Sequence, residues 1–164
     1  MKLVQAVSLA LVNQCGETLF VRRRAVEDEY PNCWSLPAKS FGPEESIFGT
    51  ARAIGRRKLG TEVTDLAWVN MGLARRDRRR LRKILRPDIP VESVEEYFLL
   101  MHVVQGRLQG DLPEQLPGYE AYEWLKARTS FPPAEARRLY EAGKLGDCTR
   151  LYLEWLQEDS PADG

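Results

Sequence analysis

The chain is predicted to fold as an α/β/α sandwich. Segments rich in β-formers alternate with segments of helical periodicity. The elements are few, and their order is mixed along a chain of 164 residues, which defaults to one domain with room for a core. The composition, 43% hydrophobic and 29% charged, is that of a globular protein and excludes wholesale disorder. One domain is expected over residues 1–158, with a frayed tail over 159–164.

Leu3 to Val12 is a run of β-formers that ends at the turn signal Asn13-Gln14-Cys15-Gly16. Thr18 to Val21 resumes as a strand, so the pair predicts a hairpin. Lys2 before this apolar run loosely mimics a signal peptide, but Gln5 and Ser8 interrupt it and no small-residue cleavage site follows. Tyr30 to Phe41 reads as loop and short strand, punctuated by Pro31 and Pro37. Glu45 to Leu59 reads as a helix: Glu44 and Glu45 favour its positive N-terminal end, and Arg56, Arg57 and Lys58 favour its last turn. Phe48, Ala51, Gly55 and Leu59 recur at steps that place them on one buried face, and Gly60 stops the helix.

Val63 to Leu73 and Val94 to Val104 read as long strands, the second turned by Gln105-Gly106. Leu108 to Gly118 is a loop rich in Pro and Gly, and Tyr119 to Leu125 a short strand. Pro132-Pro133 open a helix through Ala142, since proline is tolerated in a first helical turn. Cys148 to Gln157 is a final helix.

Between the two long strands, residues 75–86 carry eight cations and one acid, with Leu81, Ile84 and Leu85 at helical spacing. This basic amphipathic pattern fits a solvated helix, a patch for an anionic ligand or nucleic acid, or a surface for a partner or membrane. It holds no aromatic residue to stack on bases, which weighs against single-strand binding. The net charge is zero, so any attraction to nucleic acid must come from this local cluster. Cys15, Cys33 and Cys148 have neither metal-ligand nor redox spacing, and an odd count suits a reducing cytoplasm, where the chain is placed. No stretch is long enough to span a membrane as a helix. His102, the single histidine, reads as packed in a strand, and the four tryptophans as core or rim.

Trp34-Ser35-Leu36-Pro37-Ala38-Lys39, then Glu44-Glu45-Ser46, a helix and Leu59-Gly60 form a frame that resembles the Nudix box. The family box reads Gly, five residues, Glu, seven residues, Arg-Glu, an apolar residue, any residue, Glu-Glu, any residue, Gly. Anchored on Glu45 and Gly60, the spacing here is right to the residue. Lys39 stands at the first Gly, Ala53-Ile54 at Arg-Glu, and Arg57-Lys58 at Glu-Glu. Leu36-Pro37-Ala38, Glu120-Ala121-Tyr122-Glu123-Trp124 and the segment Leu139 to Leu153, which contains Glu141 to Thr149, are similar to the ADP-ribose pyrophosphatase branch. The resemblance implies a Nudix-like sandwich with a mixed β-sheet flanked by helices, a homodimer, and hydrolysis of nucleoside diphosphates linked to another group, using Mg²⁺ or Mn²⁺.

In that family three glutamates on one helical face hold the metal. Here Ile54, Arg57 and Lys58 occupy their positions, and the formal charge goes from minus three to plus two. A dication about 4 Å from one such cation is repelled by roughly 8 kcal/mol at an effective dielectric near 20. Standard metal-dependent chemistry is therefore expected to be weak or lost. If hydrolysis persists, Glu45 and Glu120 are the candidate catalytic carboxylates, and Glu44 and Glu45 the candidate metal ligands. Alternatively the chain is a binding or regulatory module for a nucleotide or phosphate ligand, held by Arg52, Arg57, Lys58 and Lys39, since Arg and Lys bind phosphate directly. Ordinary pairing of Arg57 and Lys58 with the helix dipole is the plainer reading.

Overall fold

A computed structural model describes residues 2–24, 33–76, 97–142 and 144–158. Most of the basic segment, the start of the second long strand at 94–96, and the tail at 159–164 lie outside these residues.

The centre is a mixed seven-stranded sheet. Strand β1 (Lys2–Val12) runs parallel to β6 (Tyr97–Leu108), in continuous register from Lys2↔Tyr97 to Val12↔Arg107. β5 (Val63–Arg76) pairs antiparallel with β6 and forms one sheet edge. On the other side β1 shares its edge: β4 (Ala38–Phe41) pairs along Gln5 to Ser8, and β2 (Thr18–Arg22) closes the predicted hairpin at Val12↔Thr18. β2 also carries β3 (Trp34–Ser35) and β7 (Ala121–Leu125).

Alternation along β1 builds both layers, because successive side chains point to opposite faces. Val7, Leu9 and Leu11 pack under helix α1 (Ile47–Ala53), with Ile54 and Leu59. Ala6 and Ala10 pack under α4 (Asp147–Glu158), with Tyr152 and Leu153. Short α2 (Ala127–Ser130), absent from the predicted elements, and α3 (Pro133–Glu141) complete the α4 side. The α/β/α sandwich with a mixed sheet is thus the observed fold. Among the described residues, no helix is long and apolar enough to cross a membrane.

Three local expectations are corrected. Gln105-Gly106 does not turn; β6 runs through it to Leu108, because Gly106 gives Val63 and Leu66 room to lie against the strand. A Cβ there would come within 2.5 Å of Val63 Cγ1. Arg75 and Arg76 are not helical but continue β5, paired with Phe98 and Tyr97. Phe48 does not join the buried face; it is 39% exposed. The buried stripe runs through Thr50, Ala51, Ile54 and Gly55, and Phe48 falls beside it.

The predicted single helix has two geometries. Ser46 caps α1, its Oγ accepting the Gly49 N–H at 2.9 Å. From Ile54 to Leu59 the chain widens into a π-helical turn. It ends at Gly60, whose φ of 68° suits glycine, with the Gly60 and Thr61 N–H groups both donating to the Gly55 carbonyl.

Candidate functional site

The box residues are positioned by three converging pieces: the start of β4, the π-helical turn, and the loop before β7. Ala38 is their meeting point. Its N–H donates to the Tyr119 hydroxyl at 3.1 Å, and its carbonyl accepts from Lys58 Nζ at 2.5 Å. Lys58 Nζ also lies 5.8 Å from the Tyr119 ring centroid, within cation–π reach. The Gly118 N–H donates to the Lys58 carbonyl at 3.1 Å, and a Cβ on Gly118 would come within 2.9 Å of Lys58 Cβ. Behind this junction the Leu36 N–H donates to Thr149 Oγ1 at 3.0 Å, which ties the box opening to α4.

The three positions at which the family carries glutamates meet three environments. Ile54 is fully buried in the core beneath the helix. Lys58 is half-buried and directed at Ala38. Arg57 is exposed and makes no ion pair among the described residues. A groove of about 370 Å³ brings Arg57 together with Glu45, Ser46, Gly49, Ala53 and Arg56. Arg56 is engaged by Glu62 at 2.9 Å, whereas Arg57 is not.

Glu45 faces this groove from the turn before α1. Its carboxylate lies 3.6 Å from Lys39 Nζ and accepts the Gly42 N–H at 3.4 Å. Lys39 is therefore drawn to Glu45. Glu44 is exposed beside Glu45. Arg52 is exposed and does not line the groove. Glu120 is exposed in the loop before β7, its N–H donating to the Arg22 carbonyl at 3.0 Å. The structure thus brings together Glu45, Lys39 and Arg57 around the helix start and groove, and places Lys58 at a separate internal junction. Tyr119 and the Ala38 backbone were not singled out by sequence reasoning; a tyrosine in a loop carries no signal that its hydroxyl will meet a backbone 81 residues away.

At the three box positions the side chains offer a divalent metal no oxygen ligand. Mg²⁺ and Mn²⁺ need oxygen ligands, and the helix offers a buried hydrocarbon, a guanidinium with no ion pair among the described residues and an ammonium already bonded to a carbonyl. Among the described residues no three His, Cys, Asp or Glu side chains cluster to hold a metal.

No family model and no curated protein matches the chain. Solved structures do match. MutT Nudix hydrolase from Burkholderia pseudomallei superposes with a TM-score of 0.62 at 15% identity, over 95% of this chain and 99% of that one. MutT protein from Methanosarcina mazei Go1 gives 0.59 at 16%, over 96% and 92%. A Nudix hydrolase from Nitrosomonas europaea gives 0.59 at 14%, over 96% and 90%. The chain has the fold of the MutT/Nudix hydrolases, across nearly its whole length. At these identities the likeness carries the architecture, and function has to be argued from the site.

Proposed function

We propose that this protein is a Nudix-fold binder of nucleoside diphosphate derivatives resembling ADP-ribose, with the family's metal-dependent hydrolysis weak or lost. The observation that carries this reading is the fate of the three glutamate positions: one is core, one is an internal clamp, and one is a guanidinium in a groove with no ion pair among the described residues. Such a guanidinium can hold a phosphate by two parallel charge-assisted hydrogen bonds. Arg57 is the phosphate ligand in this reading, with Lys39 and Arg52 as further candidate cations. Glu45 orders the helix entry through Lys39 and Gly42.

The test is a two-part screen. ADP-ribose, sugar nucleotides and dinucleotide polyphosphates are incubated with Mg²⁺ or Mn²⁺ and assayed for cleavage, and the same compounds are tested for thermal stabilisation with chelator present. Stabilisation by ADP-ribose without turnover, abolished in Arg57→Glu, is the expected outcome. Metal-dependent turnover that disappears in Glu45→Gln or Glu120→Gln would instead establish a hydrolase working through relocated carboxylates.

A further inference from the structure

The junction at Ala38 is a socket for one positive charge. Its carbonyl oxygen lies 2.5 Å from Lys58 Nζ. The same Nζ lies 5.8 Å from the centroid of the Tyr119 ring, whose face is the negative side of its quadrupole. The Tyr119 hydroxyl accepts the Ala38 N–H at 3.1 Å, so the ring and the strand that bears the carbonyl are held together.

The backbone delivers the cation that fills this socket. The Gly118 N–H donates to the Lys58 carbonyl at 3.1 Å. A Cβ on Gly118 would come within 2.9 Å of Lys58 Cβ and 3.0 Å of its Cγ, so glycine lets the lysine stem lie against the loop before β7. Lys58 and Ala38 are both half-buried. A bond from an ammonium to a carbonyl in such a place is charge-assisted, and stronger than one between neutral groups.

A divalent ion cannot share this place. Mg²⁺ on the Ala38 carbonyl would stand about 2.1 Å from its oxygen, beside an ammonium that already holds the same atom and repels a second cation. The neighbouring box positions do not offset this. Ile54 is a fully buried hydrocarbon and Arg57 is another cation. The carboxylate at the helix entry, Glu45, is itself drawn to Lys39 at 3.6 Å.

We propose that the Lys58 ammonium is a built-in replacement for the metal ion of the box. It is a covalently attached cation that closes the box opening onto the π-helical turn and leaves the chain indifferent to divalent ions. What the socket then lacks as a metal site is an oxygen ligand at position 58. Lys58→Glu supplies one opposite the Ala38 carbonyl, and the two oxygens repel unless a cation enters between them. Metal binding and folding become coupled in that variant alone. The inference is independent of Arg57 as a phosphate ligand, and its test uses no nucleotide, so either can fail without the other.

The experiment is the melting temperature of the full chain in chelator and across a series of Mg²⁺ or Mn²⁺ concentrations up to millimolar. The wild type should melt at one temperature throughout. Lys58→Glu should melt several degrees lower in chelator and regain most of that loss as Mn²⁺ rises, because an ion that binds only the folded state stabilises it by mass action. Lys58→Met deletes the charge and adds no oxygen, so it should melt lower and respond to neither ion. Electron paramagnetic resonance should report bound Mn²⁺ in Lys58→Glu and free Mn²⁺ with the other two. If Lys58→Glu does not fold in chelator, circular dichroism on adding Mn²⁺ reads the same recovery. A wild type that either ion stabilises overturns the proposal. So does a Lys58→Glu chain that neither ion restores, or a Lys58→Met chain that responds as strongly.

Discussion

At Lys58 one ammonium joins three parts of the chain. Its bond to the Ala38 carbonyl, its approach to the Tyr119 ring and the Gly118 bond to its backbone lock the box opening to the π-helical turn. Lys58→Met keeps the aliphatic stem and deletes the donor, which should lower stability by about 1–3 kcal/mol in urea unfolding. Lys58→Glu should lower it further, because a carboxylate would then face a carbonyl oxygen. His102 sets a second residue-scale prediction. Burial pushes its pKa below the ordinary 6.5. The unfolded chain therefore takes up a proton before the folded one does, and stability present above 6.5 is lost as pH falls toward the folded value. Melting temperature should fall as the buffer moves from neutral to mildly acidic, and His102→Gln should flatten the part of the slope that this group supplies.

At the scale of elements, Gly106 shows what the sequence could and could not convey. Gln-Gly after a run of β-formers is a turn signal, yet here the glycine lies in mid-strand because Val63, Leu66 and Leu9 crowd it from across the sheet face. Gly106→Ala should therefore cost about 1–3 kcal/mol through overpacking, measured as a shift in denaturation midpoint. The period of side chains, the caps and the prolines are local, so the hairpin, the helix after Ser46, α3 and α4 were legible in the sequence. The partners of Gly106 and of Lys58 are distant in the chain. That the helix would change to a π-turn at Ile54, and that its three box positions would meet three environments, depends on Val63, Ala38 and Tyr119 arriving from elsewhere. The altered charge of those positions could be read from the residues; their directions could not.

For the molecule as a whole, β1 is the element on which the others depend. It is parallel to β6 along its full length, it holds β4 and β2 on its other edge, and both helical layers rest on it. Ala6 to Leu11 is buried throughout. Amides in such a strand cannot exchange without separating both edges and both layers, whereas β5 is a sheet edge with Met71 and Leu73 open to solvent. Hydrogen exchange read by mass spectrometry should place Val7 to Leu11 and Met101 to Val104 in the slowest class, exchanging only with global unfolding. Peptides covering β5 should exchange faster. Equal rates in β1 and β5 would contradict this hierarchy. The slow pair also anchors β4, through Ser8 and Ala38, so the Lys58 junction is held on the least mobile part of the sheet. The Glu45–Arg57 groove, by contrast, lies on the outer, exposed side of α1 and the π-turn, where side chains are free to rearrange around a ligand.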